Sequence, residues 1–155
     1  MAKYLIDTNV VLRFCNASDS QHALSGSAIS HLLATENECY LTAQVLIELW
    51  VVATRPANVN GLGWTTERTK SIIDQLLYRF PTLEDSPQIF PCWLELVTAK
   101  EILGKRAHDI RLVSIMLTSK VTHLLTFNGK DFNISENITI VHPQDCLPPS
   151  TINAT

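Results

Sequence analysis

The chain has 155 residues, 46% of them apolar and 17% charged, with a formal net charge of −3. A chain of that length can bury about two-thirds of its unfolded surface in one core, and the composition excludes bulk disorder. The negative balance argues against a surface that holds nucleic acid by basic charge alone, and no apolar run approaches the ~18 residues that a membrane span needs.

The elements follow from periodicity and caps. Residues 3–6 are a short β-like run ending at Asp7, and residues 9–14 form the helix after it. They are not preceded by a basic segment and an apolar one, so a cytoplasmic protein is expected. Residues 20–35 read as a second helix and residues 39–41 as a short strand. Thr42 is an N-cap for the next helix, which Pro56 stops after Arg55. Residues 57–63 are a loop punctuated by Asn58, Asn60, Gly61 and Gly63. Thr65 or Thr66 caps a helix to about Phe80, and Leu83 belongs to a short strand. Ser86 with Pro87 starts a helix to about Leu103, stopped by Gly104. A further helix covers residues 107–120. Residues 122–126 and 138–141 are strands separated by a turn and a short helix, and residues 148–155 form a loose polar tail. This alternation predicts an α/β fold with a mostly parallel sheet of four to five strands, as a single domain over residues 1–147.

Cys15, Cys39, Cys92 and Cys146 include no CxxC pair. That argues against a zinc ribbon or dithiol centre and for reduced thiols in a cytosolic protein. The Asn-x-Ser/Thr triplets at Asn16, Asn133, Asn137 and Asn153 carry meaning only in a secreted chain.

The informative residues are acids in unexpected places. Glu48 interrupts the otherwise apolar run Val45-Leu46-Ile47-Glu48-Leu49-Trp50-Val51-Val52-Ala53. A helix apolar all round is buried or lies at an interface, and an unpaired buried carboxylate needs a cation, a metal or a proton. A salt bridge to Arg or Lys is the plain alternative. Asp7 ends the first strand, where open α/β sheets form their ligand sites, and it would equally serve as an N-cap. Asp109 shares a helix face with Leu112, Val113 and Met116, although an acid there also complements the helix dipole. Thr126, Asn128 and Asp131 follow a strand, and Asn128-Gly129 is also a turn signal. His108 and Asp109 are helix neighbours about 100° apart, so they form no dyad. As a set these are acidic positions at strand ends or on apolar helix faces, and hard oxygen donors suit Mg²⁺ or Mn²⁺ better than zinc.

Four segments together resemble the PIN-domain family, in particular the VapC-type toxins of bacterial toxin–antitoxin pairs. They are Leu5-Ile6-Asp7-Thr8-Asn9, Val45-Leu46-Ile47-Glu48-Leu49, Ala107-His108-Asp109-Ile110-Arg111-Leu112-Val113, and Leu124-Leu125-Thr126-Phe127-Asn128-Gly129-Lys130-Asp131-Phe132. The stretch from Arg55-Pro56 to Asn60-Gly61-Leu62-Gly63 also looks like one branch of that family. The resemblance implies a three-layer α/β/α fold with its acids at the carboxyl edge of the sheet. It further implies Mg²⁺- or Mn²⁺-dependent hydrolysis of RNA by water, leaving 5′-phosphate and 3′-hydroxyl ends, in a homodimer that an antitoxin inhibits.

Asp7, Glu48 and Asp109 match the family's metal-binding acids. On that reading Asp7 and Asp109 ligate the ion, and Glu48 ligates through water or orients the attacking water. Many members carry Asp where this chain has Asn128. Either Asn128 or Asp131 completes the site, with Asn128 expected in it and Asp131 supporting from one turn away. Thr8, Asn9 and Thr126 are expected to hydrogen-bond the carboxylates. Arg13, Arg55, Arg111 and Lys130 are candidate phosphate contacts. Apolar surface around Trp50 and in the Trp64 loop is expected at an interface. Two other readings stand beside this one. The first is an inactive PIN scaffold that binds RNA or protein. The second is a haloacid-dehalogenase-like phosphatase, whose chemistry needs an Asp-x-Asp pair where this chain has Asn9.

Overall fold

Parallel strands covered on both faces read as continuous apolar runs, and the central strand here does: Tyr4, Leu5 and Ile6 are all buried. A computed structural model describes residues 1–132 and 134–149. The order of elements is β1 (Lys3–Ile6), α1 (Thr8–Cys15), α2 (His22–Ala34), β2 (Glu38–Thr42), α3 (Ala43–Thr54), α4 (Thr66–Arg79), β3 (Thr82–Leu83), α5 (Ile89–Ala99), α6 (Arg106–Ser119), β4 (His123–Leu125) and β5 (Thr139–Val141). The sheet has five strands in the order β3-β2-β1-β4-β5, all parallel. Helices cover both faces, giving the three-layer α/β/α architecture expected from the alternating pattern.

The chain lays β2 and β3 on one side of β1, then crosses back to place β4 and β5 on the other. Strand order therefore reverses between β1 and β4, and open α/β sheets bind their ligands in the crevice beyond such a point. Register sets what meets there. Ile6 pairs with Leu125, and the Asp7 N–H donates to the Leu125 carbonyl at 3.0 Å. Asp7 and Thr126 thus leave the sheet side by side.

Helix α6 lies deepest. Ile110, Leu112, Val113, Ser114, Ile115 and Met116 are all buried, so its middle is covered on several sides rather than along the one stripe that carries Asp109. Capping follows the sequence reading at α3 and α4. Thr42 accepts from the Val45 N–H at 3.1 Å, and Thr65 accepts from the Arg68 N–H at 3.1 Å.

One expectation needs correction. Helix α5 ends at Ala99 rather than near Leu103. Glu101 adopts φ 50°, while the Ile102 N–H bonds the Val97 carbonyl and the Glu101 N–H the Thr98 carbonyl. That is a Schellman stop, in which a glutamate fills the left-handed position glycine usually takes. Gly104, at φ 60°, serves the turn into α6. Of the two readings open for the apolar helix α3, burial or an interface, one face is left uncovered: Ile47, Trp50 and Val51 are 64%, 37% and 48% exposed. Trp64, by contrast, packs partly against the core under the Arg68 guanidinium, 4.2 Å from its ring. Of the tail expected from residue 148, residues 150–155 lie outside the described residues.

Candidate active site at the carboxyl edge of the sheet

Asp7 is the centre of the site. It is 5% exposed and is also the N-cap of α1, so the two roles weighed for it coexist. One carboxylate oxygen accepts the Thr8 N–H at 2.7 Å. The other accepts the Thr126 hydroxyl at 2.8 Å and the Asn9 amide at 3.2 Å. Asn9 also donates to the Thr126 hydroxyl at 3.1 Å, and its carbonyl oxygen accepts the Phe127 N–H at 3.1 Å. Asn9 therefore braces the ends of β1 and β4 against each other. It is a strut where an Asp-x-Asp phosphatase would need a second acid.

Glu48 stands on α3 one turn inside the helix. One of its oxygens accepts the Thr8 hydroxyl at 2.6 Å, and the other accepts the Gln44 amide at 3.0 Å. The salt-bridge alternative for Glu48 does not hold. Among the described residues the ion pairs are Arg13–Asp19, Lys70–Asp74 and Arg111–Asp85, and none involves Asp7, Glu48, Asp109 or Asp131.

The acids form one electrostatic group. Burial pushes Asp7 up to about 6, against the hydrogen bonds from Thr126 and Thr8 that lower it, and the charges of Glu48 and Asp109 push it further up. Asp109, in the first turn of α6, is raised first by burial and then by Asp131 and Glu48, with Arg106 and His108 opposing. Like charges gathered without a paired cation are costly, and such clusters concentrate at functional sites.

The segment after β4 contributes unevenly. Asp131 is exposed but near enough to Asp109 to raise it. Asn128 is exposed and takes part through its backbone: its N–H donates to the Thr126 hydroxyl at 3.0 Å, and its carbonyl accepts the Asp131 N–H. The added charge near Asp109 thus comes from Asp131, while Asn128 shapes the turn that presents it.

The candidate phosphate contacts divide as well. Arg13 lies 4.8 Å over the Phe127 ring and donates to the Asn9 carbonyl at 2.9 Å, so it borders the site while bracing it. Arg111 donates to the Gln44 carbonyl oxygen at 3.1 Å and to Asp85 at 3.2 Å, which occupies it within the fold. Lys130 is exposed beside Asp131, and Arg55 is half-buried in the α3–α4 loop. Gln44 and Asp85 escaped the sequence reading. Gln44 had a signal, because an amide four residues before an acid on a helix is within hydrogen-bonding reach. Asp85 had none.

Among the described residues, no three His, Cys, Asp or Glu side chains close on one point as a preformed metal cage. Mg²⁺ seldom needs such a cage. It is held through one or two carboxylates and completes its shell with water and substrate phosphate. The open, all-oxygen donor set around Asp7 and its unneutralised charge fit a hard divalent cation of that kind.

The PIN domain family model matches residues 4–134, a span holding all four acids. No curated protein sequence matches the chain significantly. Among solved structures, the chain is similar to VapBC2 from Rickettsia felis, bound to a DNA fragment from its promoter. That match has TM-score 0.68 and 22% identity, over 90% of this chain and 98% of that one. It is similar to VapBC-1 from nontypeable Haemophilus influenzae at TM-score 0.66 and 15% identity, over 92% and 98%. A third likeness is to Mycobacterium tuberculosis VapC20, a toxin that cleaves the sarcin-ricin loop. There the TM-score is 0.58 and the identity 17%, over 83% and 92%.

Proposed function

Because the chain belongs to the PIN-domain family, we propose that it is a divalent-metal-dependent endoribonuclease, the toxin of a toxin–antitoxin pair. The observation that carries this reading is the group of uncompensated carboxylates around Asp7 at the point where strand order reverses. An inert scaffold gains nothing from an arrangement that costs it stability. VapBC complexes and a VapC toxin among the structural neighbours support the same reading.

Asp7 and Asp109 are the residues to hold Mg²⁺ or Mn²⁺, with Glu48 reaching it through water or orienting the attacking water. Bound there, the ion supplies an activated water and neutralises charge at the phosphate. Thr126, Thr8 and Asn9 fix the Asp7 carboxylate by the hydrogen bonds described above, and Thr8 shares itself with Glu48. Asp131 adds negative charge beside Asp109. Lys130, exposed next to Asp131, is a cation free to meet RNA phosphates, while Arg13, bonded to the Asn9 carbonyl and paired with Asp19, borders the site as a brace. The protein works in the cytoplasm, as a homodimer through the apolar face of α3, under control of an antitoxin.

The test is cleavage of single-stranded RNA by purified protein, with analysis of the product ends. Activity with Mg²⁺ or Mn²⁺, lost on chelation and leaving 5′-phosphates, is the expected result. RNA binding without any cleavage would favour the inactive scaffold instead.

A further inference from the structure

Among the described residues, Gln44 is the one side chain that hydrogen-bonds both Glu48 and the helix carrying Asp109. Its amide nitrogen donates to Glu48 at 3.0 Å and to the His108 carbonyl at 2.8 Å. Its carbonyl oxygen accepts Arg111 at 3.1 Å, and Arg111 is held by Asp85 at 3.2 Å. The polarity of the amide is fixed by its partners. An arginine can only donate, so it takes the oxygen, and the two acceptors take the nitrogen.

The start of α6 needs such a hold. Its N-cap, Lys105, supplies no side-chain hydrogen bond, so the turn bearing Asp109 lacks the usual local anchor. Two side chains from outside grip it instead. The Trp93 indole N–H donates to the Ala107 carbonyl at 2.8 Å, and Gln44 donates to the next carbonyl. Of the two, only Gln44 continues to a second acid. With Thr8 on the other oxygen of Glu48, that carboxylate is held from both sides.

We infer that Gln44 is a positioning residue that sets Glu48 against Asp109, with Arg111 and Asp85 acting to fix the direction of its amide. The role assigned here rests on the nuclease reading above. Partners of this kind around metal-binding carboxylates typically matter by about 10–100-fold in metal affinity or activity.

The test uses two replacements of Gln44. Gln44→Met keeps the length and loses every polar contact. Gln44→Glu keeps an acceptor for Arg111 and loses both donations. The measurements are kcat and KM on a short single-stranded RNA, Mn²⁺ affinity by calorimetry without RNA, and hydrogen exchange across residues 106–112 in metal-free protein. Both variants are expected to lower kcat by about 10–100-fold, to leave KM within a few-fold, to weaken Mn²⁺ binding and to speed exchange at the start of α6. If Gln44→Glu restores what Gln44→Met loses, Gln44 serves only to anchor Arg111 and the inference fails. Unchanged kcat and Mn²⁺ affinity in Gln44→Met also overturn it. Wild-type protein that neither binds Mn²⁺ nor cuts RNA would overturn the nuclease reading, and the exchange measurement would still decide whether Gln44 holds α6.

Discussion

Replacing Asp7 by asparagine should stabilise the metal-free protein at neutral pH while destroying its site. Asp7 is 5% exposed, is not ion-paired, and titrates near 6 instead of the ordinary 3.8. The fold favours the neutral carboxyl, so Asp7 imposes no penalty below pH 3.8, and its penalty grows as pH rises through about 6. A displacement of about two pH units corresponds to roughly 3 kcal/mol, fully present at pH 8. Asparagine carries no such penalty. It still accepts from the Thr8 N–H but turns an NH₂ group toward the Thr126 hydroxyl and the Asn9 amide, a mismatch of about 1 kcal/mol at any pH. Asp7→Asn is therefore expected to be more stable than wild type by about 2 kcal/mol at pH 8 and slightly less stable at pH 4. For a chain of this size the swing is roughly 6–12 °C in Tm. Thermal melts of both proteins from pH 4 to 8 in EDTA measure it directly. Parallel curves across that range would refute the reasoning, because the cost of the buried charge would then be absent.

Other substitutions probe the segment after β4, the exposed face of α3 and the end of α5. Asp131→Asn should raise the Mg²⁺ concentration needed for half-maximal cleavage more than Asn128→Ala does, because Asp131 carries charge toward Asp109 and Asn128 contributes backbone; the reverse order would return Asn128 to the site. Trp50→Glu, on the exposed face of α3 beside Ile47 and Val51, should convert a dimer to a monomer by light scattering, and a wild-type monomer at tens of micromolar would remove that interface. Glu101→Gly should raise stability by about 0.5–1 kcal/mol, because Glu101 occupies a left-handed conformation that glycine adopts freely; a lower denaturation midpoint would contradict the stop described for α5.

The parts of the fold legible in sequence were those set by local chemistry. Thr42 and Thr65 announce helices because a hydroxyl before an apolar run satisfies an otherwise unpaired N–H, and Pro56 ends α3 because it cannot continue it. The end of α5 was hidden because Glu101 fills a position where glycine is the usual signal, and Gly104 drew attention to the wrong turn. At the site, Asp7, Glu48 and Asp109 stood out as acids among apolar neighbours. Their mutual approach did not, because it depends on β1 and β4 pairing and on α6 lying over the sheet. The exposed face of α3 was ambiguous for the same reason: its sequence shows an apolar helix but not which side the sheet covers. Arg111 reads as a free cation until Gln44 and Asp85 are brought against it from α3 and the loop before α5.

The central claim is that the carboxylates around Asp7 form one cation-dependent hydrolytic site. It is tested most directly by the rate of cleavage of a single-stranded RNA as a function of free Mg²⁺, for wild type and Asp7→Asn side by side. The expected result is a wild-type rate that rises with Mg²⁺ to saturation and vanishes in EDTA, with Asp7→Asn at background throughout despite its intact fold. Full wild-type activity in excess EDTA, or an Asp7→Asn profile that overlays wild type, would contradict it.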